Sequence, residues 1–132
     1  MSKEFAMSEK IETKNAPAAV GPYSQAVAIG NLIFTSGQIP LNPETGVIEG
    51  EDITAQTHRV CKNLAAVLEA AGTSLDRAVK TTCYLADMAD FAAFNAVYGE
   101  YFKEKPARSC VAVKSLPKGA LLEVDVVAER LK

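Results

Sequence analysis

The spacing of the apolar residues changes along this chain, and that change limits the folds available to it. Between residues 53 and 71 apolar residues recur every three or four positions, which predicts an amphipathic helix. Asp52 is a suitable N-cap for this helix, and Gly72 is a suitable C-terminal stop. Ahead of the helix, two short β-prone runs, 26–29 and 32–35, are separated by a Gly-Asn pair that tolerates the positive φ of hairpin turns. A β-hairpin followed by a helix is therefore predicted.

The second half of the chain again alternates between strand-like and helix-like patterns. Residues 79–86 are rich in Thr, Val, Cys, Tyr and Leu, a composition that favours a half-buried strand. A second helix is predicted to begin at Asp90 and to end at Lys105-Pro106, because the residue before a proline is disfavoured in a helix. Its aromatic stripe is interpreted as core and consists of Phe91, Phe94, Tyr98, Tyr101 and Phe102. Two alternating runs, 108–114 and 121–128, then predict a second hairpin.

The resulting order, β-β-α-β-α-β-β, indicates an α+β fold with both helices packed on one face of a mixed sheet. A chain of 132 residues has room for one such core, so residues 9–132 are expected to form one domain and residues 1–8 a flexible extension. In the last strand one side carries Leu122 and Val124, while the other side mixes apolar and acidic residues. Two helices cannot cover both faces, and we therefore expect the second face to be buried against another subunit.

Charge and composition argue against several classes of protein. Fourteen Lys and Arg residues against sixteen Asp and Glu residues give a net charge of −2 and a sequence pI of about 5.4. With no Lys/Arg cluster of five or more, the chain offers no support for a nucleic-acid partner. No apolar run reaches the roughly 20 residues that span a bilayer, and the N-terminus lacks the apolar segment of a signal peptide. A cytoplasmic protein without a membrane partner is expected.

The cysteine and histidine content narrows the possible chemistry. The three cysteines, Cys61, Cys83 and Cys110, are odd in number and contain no Cys-x-x-Cys pair, which favours reduced thiols. The single histidine argues against a His-rich zinc site and against a Ser-His-Asp triad. We expect chemistry without a metal, carried by carboxylates, Arg, Tyr, hydroxyls or backbone groups.

Charged residues interrupt the last two predicted strands, and a local inconsistency of this kind often marks a functional site. Arg108 and Cys110 share a face of the first strand, while Glu123 and Asp125 share a face of the second. Two interpretations remain open. Arg108 could pair with a carboxylate and hold the hairpin in register. Alternatively, its planar guanidinium could bind a substrate carboxylate while a glutamate handles a proton or a water molecule.

Four segments of the chain carry a family resemblance. They are Asn15-Ala-Pro-Ala-Ala-Val-Gly-Pro-Tyr-Ser-Gln-Ala26, Thr35-Ser-Gly-Gln-Ile-Pro40, Pro106-Ala-Arg-Ser-Cys110, and Leu116-Pro-Lys-Gly119 with Leu121-Leu-Glu-Val124 after it. In this order, from about residue 9 to residue 130, they resemble the motifs of the RidA family (YjgF/YER057c/UK114), also known as the endoribonuclease L-PSP family. The resemblance implies a YjgF-like, chorismate-mutase-like subunit. It also implies a homotrimer with a barrel-like core and clefts at the subunit interfaces.

The same resemblance implies an activity. The Pro-Ala-Arg-Ser-Cys element is characteristic of the branch that hydrolyses reactive enamine or imine intermediates, including 2-aminoacrylate and 2-aminocrotonate, to 2-keto acids and ammonia. Such a 2-iminobutanoate/2-iminopropanoate deaminase is a hydrolase that uses no metal or organic cofactor. Carried over to this chain, the resemblance makes Arg108 a bidentate partner of the substrate carboxylate and the backbone amide of Cys110 a further donor. Glu123 would hold or activate the attacking water.

Four more positions match the family's pocket. The resemblance places Tyr23 in its lining, as a catalytic residue, and has Ser36, Gly37 and Asn95 shape it from a neighbouring segment or subunit. Cys110 also invites a role as nucleophile, but the thiol lies on an alternating strand and has no histidine partner to activate it. We therefore interpret Cys110 as a substrate-binding residue through its backbone.

Two other functions remain as alternatives. Some relatives have been described as translation inhibitors or endoribonucleases, although the acidic pI and the lack of a basic cluster argue against an RNA surface here. A non-catalytic or chaperone-like trimer could use the same Arg108 pocket merely to hold a 2-keto acid. The sequence alone does not separate this alternative from the enzyme.

Overall fold

The computed structural model describes residues 8–131, so residues 1–7 of the predicted extension lie outside the described residues. Its strands are β1 (Glu9–Ile11), β2 (Ala26–Ile29), β3 (Leu32–Thr35), β4 (Ala78–Leu85), β5 (Ala107–Ala112) and β6 (Leu122–Glu129). Its α-helices are α1 (Ile53–Ala70) and α2 (Phe91–Tyr101). The α+β fold is confirmed. Neither helix of the described range is long and apolar enough to cross a membrane.

The first predicted hairpin is confirmed with its register. Strands β2 and β3 pair antiparallel, with Ile29 opposite Leu32, and Gly30 adopts a φ of +59° in the turn between them. A short additional strand, β1, pairs with β2 and places Lys10 opposite Val27. Three residues are too few to give a periodic signal, which is why the sequence pattern did not indicate β1.

Helix α1 begins and ends where the sequence predicts. The side chain of Asp52 accepts a hydrogen bond of 2.8 Å from the amide of Ala55 and caps the first turn. At the other end Gly72 has a φ of +86°, and the amide of Thr73 donates to the carbonyl oxygen of Leu68. This is the Schellman arrangement, in which a left-handed residue lets the following amides satisfy the last carbonyl groups.

Helix α2 is shorter than predicted. Asp90 occupies the N-cap position, but its side chain makes no capping hydrogen bond. The helix ends at Tyr101 and not at Lys105, because Phe102, with φ −104° and ψ 69°, already leaves the helical region. Lys105 has a φ of +57°, outside the right-handed helical region, directly before Pro106. The core interpretation of the aromatic stripe is confirmed for Phe94, Tyr98 and Phe102, which are buried.

The predicted second hairpin is wrong. The strand order is β1-β2-β3-β6-β4-β5, so β6 lies between β3 and β4, and β5 pairs parallel with β4 at the sheet edge. The link from β5 to β6 passes over the end of β4, where Val113 donates to the carbonyl oxygen of Leu85 and Ala86 donates to that of Leu121. Alternation within a strand says which side chains share a face, but it does not say which strand is the neighbour.

Both helices contact one face of the sheet, as predicted, and we call this the covered face. On β6 its residues are Leu122, Val124, Val126 and Ala128, each at most 1% exposed. We call the opposite side the open face. There β2 and β3 present Ile29 and Phe34, which are 46% and 43% exposed. The expectation that a second subunit covers this face stays a prediction.

Candidate active site

Arg108 lies on the edge strand β5, and its side chain projects to the covered side of the sheet. In the β4–β5 register it pairs with the buried Thr81, so the two residues share that side. Its Nη1 donates a hydrogen bond of 2.6 Å to Oδ1 of Asn95 on α2. Its Cζ lies 4.7 Å from the ring centroid of Tyr98 and 5.5 Å from that of Phe91. An amide and two aromatic rings therefore hold the guanidinium in place.

These contacts leave the positive charge of Arg108 without an acidic partner among residues 8–131. The ion pairs of this range are Arg59–Glu49, Arg77–Glu129 and Arg130–Glu9. A guanidinium has five N–H donors, and Asn95 engages one of its terminal nitrogens, so donors remain for an incoming carboxylate. The interpretation in which Arg108 pairs with a carboxylate across a hairpin is wrong, because β6 is not adjacent to β5.

Packing fixes the ring beneath Arg108. The hydroxyl of Tyr98 lies 2.7 Å from that of Thr81, and its ring stacks on Phe102 with a centroid distance of 4.5 Å. Burial raises the pKa of Tyr98, which keeps the hydroxyl neutral. The aromatic periodicity predicts Tyr98 and Phe91 as core residues, and their contact with Arg108 is a second role. Their spacing offered a signal, because with Asn95 between them they recur at four and three residues on one helix face.

Cys110 lies two residues beyond Arg108 on the same side of β5 and pairs with Cys83 of β4. Burial raises the pKa of Cys110, and the nearby positive charge of Arg108 only partly opposes that rise. Burial also raises the pKa of Cys83 to about 12. Both thiols are therefore held in the protonated form, in which a cysteine is a poor nucleophile. A role of the Cys110 thiol as nucleophile is therefore disfavoured, and the role of its backbone amide stays a prediction.

Glu123 lies on the open face of β6, in contact with Gly37. A β-carbon built on Gly37 would collide with Oε2 of Glu123 and would lie 2.7 Å from its Cδ. The φ of Gly37 is not in the left-handed region, so glycine is required here for space and not for backbone conformation. Any side chain at position 37 would displace the carboxylate of Glu123.

The surroundings of Glu123 make its carboxylic acid weaker than usual. Burial raises the pKa of Glu123, and the neighbouring charge of Asp125 raises it further. Burial also raises the pKa of Asp125, although a hydrogen bond with Tyr84 and the charge of Lys80 oppose the rise. A carboxylate whose pKa lies closer to neutral pH is better matched to a role in proton transfer.

Ser36 and Tyr23 belong to the segments next to Glu123. The hydroxyl of Ser36 donates a hydrogen bond of 2.6 Å to the carbonyl oxygen of Ser24, and its amide donates to that of Gln25. Tyr23 is 52% exposed and lines a cleft of about 720 Å³ together with Ser24 and Gln25. The loop that carries Tyr23 is therefore tied to the Ser36-Gly37 segment against which Glu123 rests.

The predicted site residues thus form two groups. We call Arg108, Asn95 and Cys110 the arginine half, and Glu123, Gly37, Ser36 and Tyr23 the glutamate half. Arg108 shares the covered side with Thr81 and Val126, whereas Glu123 shares the open face with Tyr84. One chain places Asn95 beside Arg108 and Gly37 beside Glu123, and hydrogen bonds link the Tyr23 loop to Ser36, but the two halves do not lie on one face. Among residues 8–131 no cluster of His, Cys, Asp or Glu suited to a metal ion is found.

Comparison with known proteins adds to this geometry. The family model described as endoribonuclease L-PSP, the YjgF/RidA family, matches residues 13–130. The chain is 54% identical over 123 residues to a RutC family protein of Pyrococcus horikoshii, which covers 92% of this chain and 98% of that protein. It is 48% identical over 128 residues to the 2-iminobutanoate/2-iminopropanoate deaminase of Escherichia coli strain K12, covering 94% and 99%.

A solved structure agrees with these sequence matches. The crystal structure of Escherichia coli TdcF with bound serine superposes with a TM-score of 0.88 at 43% identity, over 93% of this chain and 99% of that one. The chain belongs to the RidA family. The resemblance seen in the four sequence motifs is thereby confirmed, and the TdcF structure shares the fold over 93% of this chain.

Proposed function

We propose that this RidA family member hydrolyses reactive 2-imino acids and their enamine tautomers, such as 2-aminoacrylate and 2-aminocrotonate, to 2-keto acids and ammonia. One observation carries the proposal. Asn95 and the rings of Tyr98 and Phe91 orient the guanidinium of Arg108, yet its charge has no acidic partner among residues 8–131. A fixed, uncompensated guanidinium is suited to a small substrate that carries a carboxylate.

The relatives support this choice of substrate class. The Escherichia coli protein at 48% identity is named for the deamination of 2-iminobutanoate and 2-iminopropanoate. The TdcF structure holds serine, an amino acid whose carboxylate is of the kind that Arg108 would bind. In this chain the amide of Cys110, two residues along β5, would add a second donor to the same carboxylate.

The chemistry needs a water molecule and a proton carrier. Ionised Glu123 takes a proton from water as the oxygen attacks the iminium carbon, which gives a tetrahedral carbinolamine. Glu123 then returns this proton to the nitrogen, and the C–N bond breaks as ammonia leaves. Ionised again, Glu123 accepts the hydroxyl proton of the intermediate, which becomes the keto group, and passes that proton to the departing ammonia, which leaves as ammonium. The raised pKa of Glu123 favours this exchange, because a carboxylate with a raised pKa accepts a proton from water more readily than an ordinary carboxylate does.

A complete site requires more than one copy of the chain. The arginine half and the glutamate half lie on opposite sides of the sheet, and β5 is an edge strand that a second copy can approach. We propose that copies assemble as a homotrimer through the open face. Each site would then combine the arginine half of one subunit with the glutamate half of the next.

The experiment is release of 2-keto acid from 2-aminoacrylate, generated in place by a dehydratase, with spontaneous hydrolysis subtracted. Native protein and Arg108→Ala are compared after both are shown to have the same circular dichroism spectrum and the same mass in solution. We expect the native chain to accelerate release. Arg108→Ala should reduce kcat/KM by about 100-fold, which corresponds to about 3 kcal/mol of transition-state binding.

Two other results would contradict the proposed hydrolysis and favour a different function. If the native chain does not exceed the spontaneous rate but binds 2-keto acids, and Arg108→Ala abolishes that binding, the pocket is a binding site without turnover. Salt-sensitive RNA binding or cleavage would instead favour the activity in the family's name, against the net charge of −2.

A further inference from the structure

The pairing of β3 with β6 is interrupted where the glutamate half lies. Phe34 pairs with Val127, and the next pairing on the same two segments joins Gln38 to Val124. The three residues 35–37 thus face only the two residues 125–126. The segment after β3 therefore carries one extra residue, which forms a β-bulge. Bulges of this kind bend a strand and redirect side chains, and they are frequent beside active sites.

The side chain of Thr35 repairs the hydrogen bonding that the bulge disturbs. The amide of Val126 donates a hydrogen bond of 3.0 Å to Oγ1 of Thr35 in place of a backbone carbonyl group. Val126 is 1% exposed, so water does not readily supply another acceptor. Beyond the bulge the backbone groups of Gln38 and Val124 bond to each other at 2.8 and 3.1 Å.

These bonds lie on either side of Gly37, the residue against which the carboxylate of Glu123 rests, and Glu123 itself directly precedes Val124. The strand is held at Val124 by Gln38 and at Val126 by the Thr35 hydroxyl, and between these anchors the bulge presents Gly37 to Glu123. The position of the carboxylate therefore depends on how closely the bulge follows β6. A loosened bulge would move Gly37 away and let the side chain of Glu123 turn toward water.

We propose that Thr35 is a positioning residue. Its hydroxyl holds the bulge in place, and the bulge positions the carboxylate of Glu123 for proton transfer. The proposal rests on the proposed function, because it assigns to Thr35 a part in placing the acid/base group of that reaction. Thr35 itself touches no substrate in this scheme. Its effect must therefore appear in the properties of Glu123 and not in substrate affinity.

The test compares Thr35→Val, which removes the hydroxyl at nearly constant volume, with Thr35→Ser, which keeps it. Thr57→Val is the matched control, because the buried Thr57 hydroxyl bonds only within α1, to the carbonyl oxygen of Ile53 at 2.7 Å. We expect Thr35→Val to reduce kcat about tenfold with KM changed less than about twofold. Thr35→Ser and Thr57→Val should retain the native kcat.

The pH dependence of kcat distinguishes a positioning role of Thr35 from a merely structural role, which would not change it. Activity requires ionised Glu123, so the acidic limb of kcat reports its pKa. In Thr35→Val the carboxylate becomes more exposed, the part of the rise in pKa that burial causes is lost, and the limb moves to lower pH. A Thr35→Val protein that is less stable but keeps the native limb and kcat would overturn the proposal.

Carboxyl carbon NMR of Glu123 separates this proposal from the proposed function, because it needs no turnover. A lower pKa of Glu123 in Thr35→Val than in native protein and Thr35→Ser supports the positioning role even if no imine is hydrolysed. Equal pKa values in all three proteins refute it even if the native chain is an active deaminase. If Thr35→Val does not fold, Thr35→Cys, whose sulfur is a weak acceptor, replaces it with the same two readouts.

Discussion

The covered face and the open face of the sheet are made by the same strands but differ in what they carry. On β6 the covered face has only apolar residues, and Leu122, Val124 and Val126 are each at most 1% exposed. The open face of the same strand carries Glu123 and Asp125, whose pKa values are both raised. Strand alternation thus lets one segment stabilise the fold on one side and present reactive groups on the other.

The difference between the faces shows how one sheet can both stabilise the fold and present reactive groups. Residues on the covered face pack against two helices, where a change of volume directly affects the free energy of unfolding. The open face is apolar at Phe34 and Ile29 and polar around Glu123, Asp125 and Tyr84. A substitution there would change assembly or chemistry more than folding of the single chain. The first of four predictions tests this distinction, and the other three test the arginine half and the glutamate half.

The largest expected effect is on the covered face. Leu122→Ala removes a fully buried side chain, and we expect it to lower the free energy of unfolding by about 2–5 kcal/mol in urea denaturation. Phe34→Ala is the matched change on the open face. It should keep native circular dichroism but lower the mass in analytical ultracentrifugation, because it would weaken the proposed contacts between copies. Equal destabilisation with unchanged mass would remove the distinction between the faces.

The second prediction concerns the arginine half. Arg108→Lys keeps the charge but loses the planar fork and its bidentate geometry, so we expect kcat/KM to fall about thirtyfold, or about 2 kcal/mol. Arg77→Lys serves as control, because Arg77 pairs with the partly exposed Glu129 away from either half. Steady-state measurement of kcat/KM for both variants tests this prediction. Native kcat/KM in Arg108→Lys would mean that charge alone suffices.

The third prediction concerns the glutamate half. Gly37→Ala is tolerated by the backbone but forces the carboxylate of Glu123 aside, and kcat should fall about tenfold. Gly99→Ala in α2 is the control, since its added methyl group meets nothing within 4 Å. That control should keep native kcat and gain about 0.5–1 kcal/mol of stability. A normal kcat in Gly37→Ala would rule out the contact as a constraint on catalysis.

The smallest expected effect is electrostatic. Asp125→Asn removes a like charge next to Glu123 and should lower the pKa of Glu123, although burial still raises it. Because ionised Glu123 is the active form in the proposed mechanism, the acidic side of the pH profile of kcat should move to lower pH, with kcat at neutral pH little changed. A limb that stays in place or moves to higher pH would show that another group controls it. Glu129→Gln, which removes an acidic charge elsewhere on β6, is the control and should leave the pH profile unchanged.

The sequence predicted the local elements well but the pairing of the last strands poorly. Helix α1, with Asp52 and Gly72 at its ends, follows from capping chemistry and period, and these are local properties. The place of β6 between β3 and β4 depends on contacts far apart in the chain, such as Phe34 with Val127. No periodicity encodes such contacts, so the alternating runs were joined into a hairpin that does not exist.

For the candidate site, the residue types were predictable and their arrangement was not. Family motifs pointed to Arg108, Glu123 and Asn95, and the structure joins Arg108 to Asn95. The separation of Arg108 from Glu123 on two faces follows from the strand order, which the sequence did not reveal. The Thr35 hydroxyl accepts the Val126 amide where the pairing of β3 with β6 is interrupted. A bulge of this kind has no clear pattern in a single sequence.

The separation of the arginine half from the glutamate half has a genetic consequence. If each site draws its halves from two subunits, a chain lacking Arg108 and a chain lacking Glu123 are defective in different halves of every interface. Dissociated, mixed in equal amounts and reassociated, Arg108→Ala and Glu123→Gln should form about one quarter of their interfaces with both intact halves. Two alleles that are each inactive would then complement one another in the same cell, with activity appearing only in mixed assemblies.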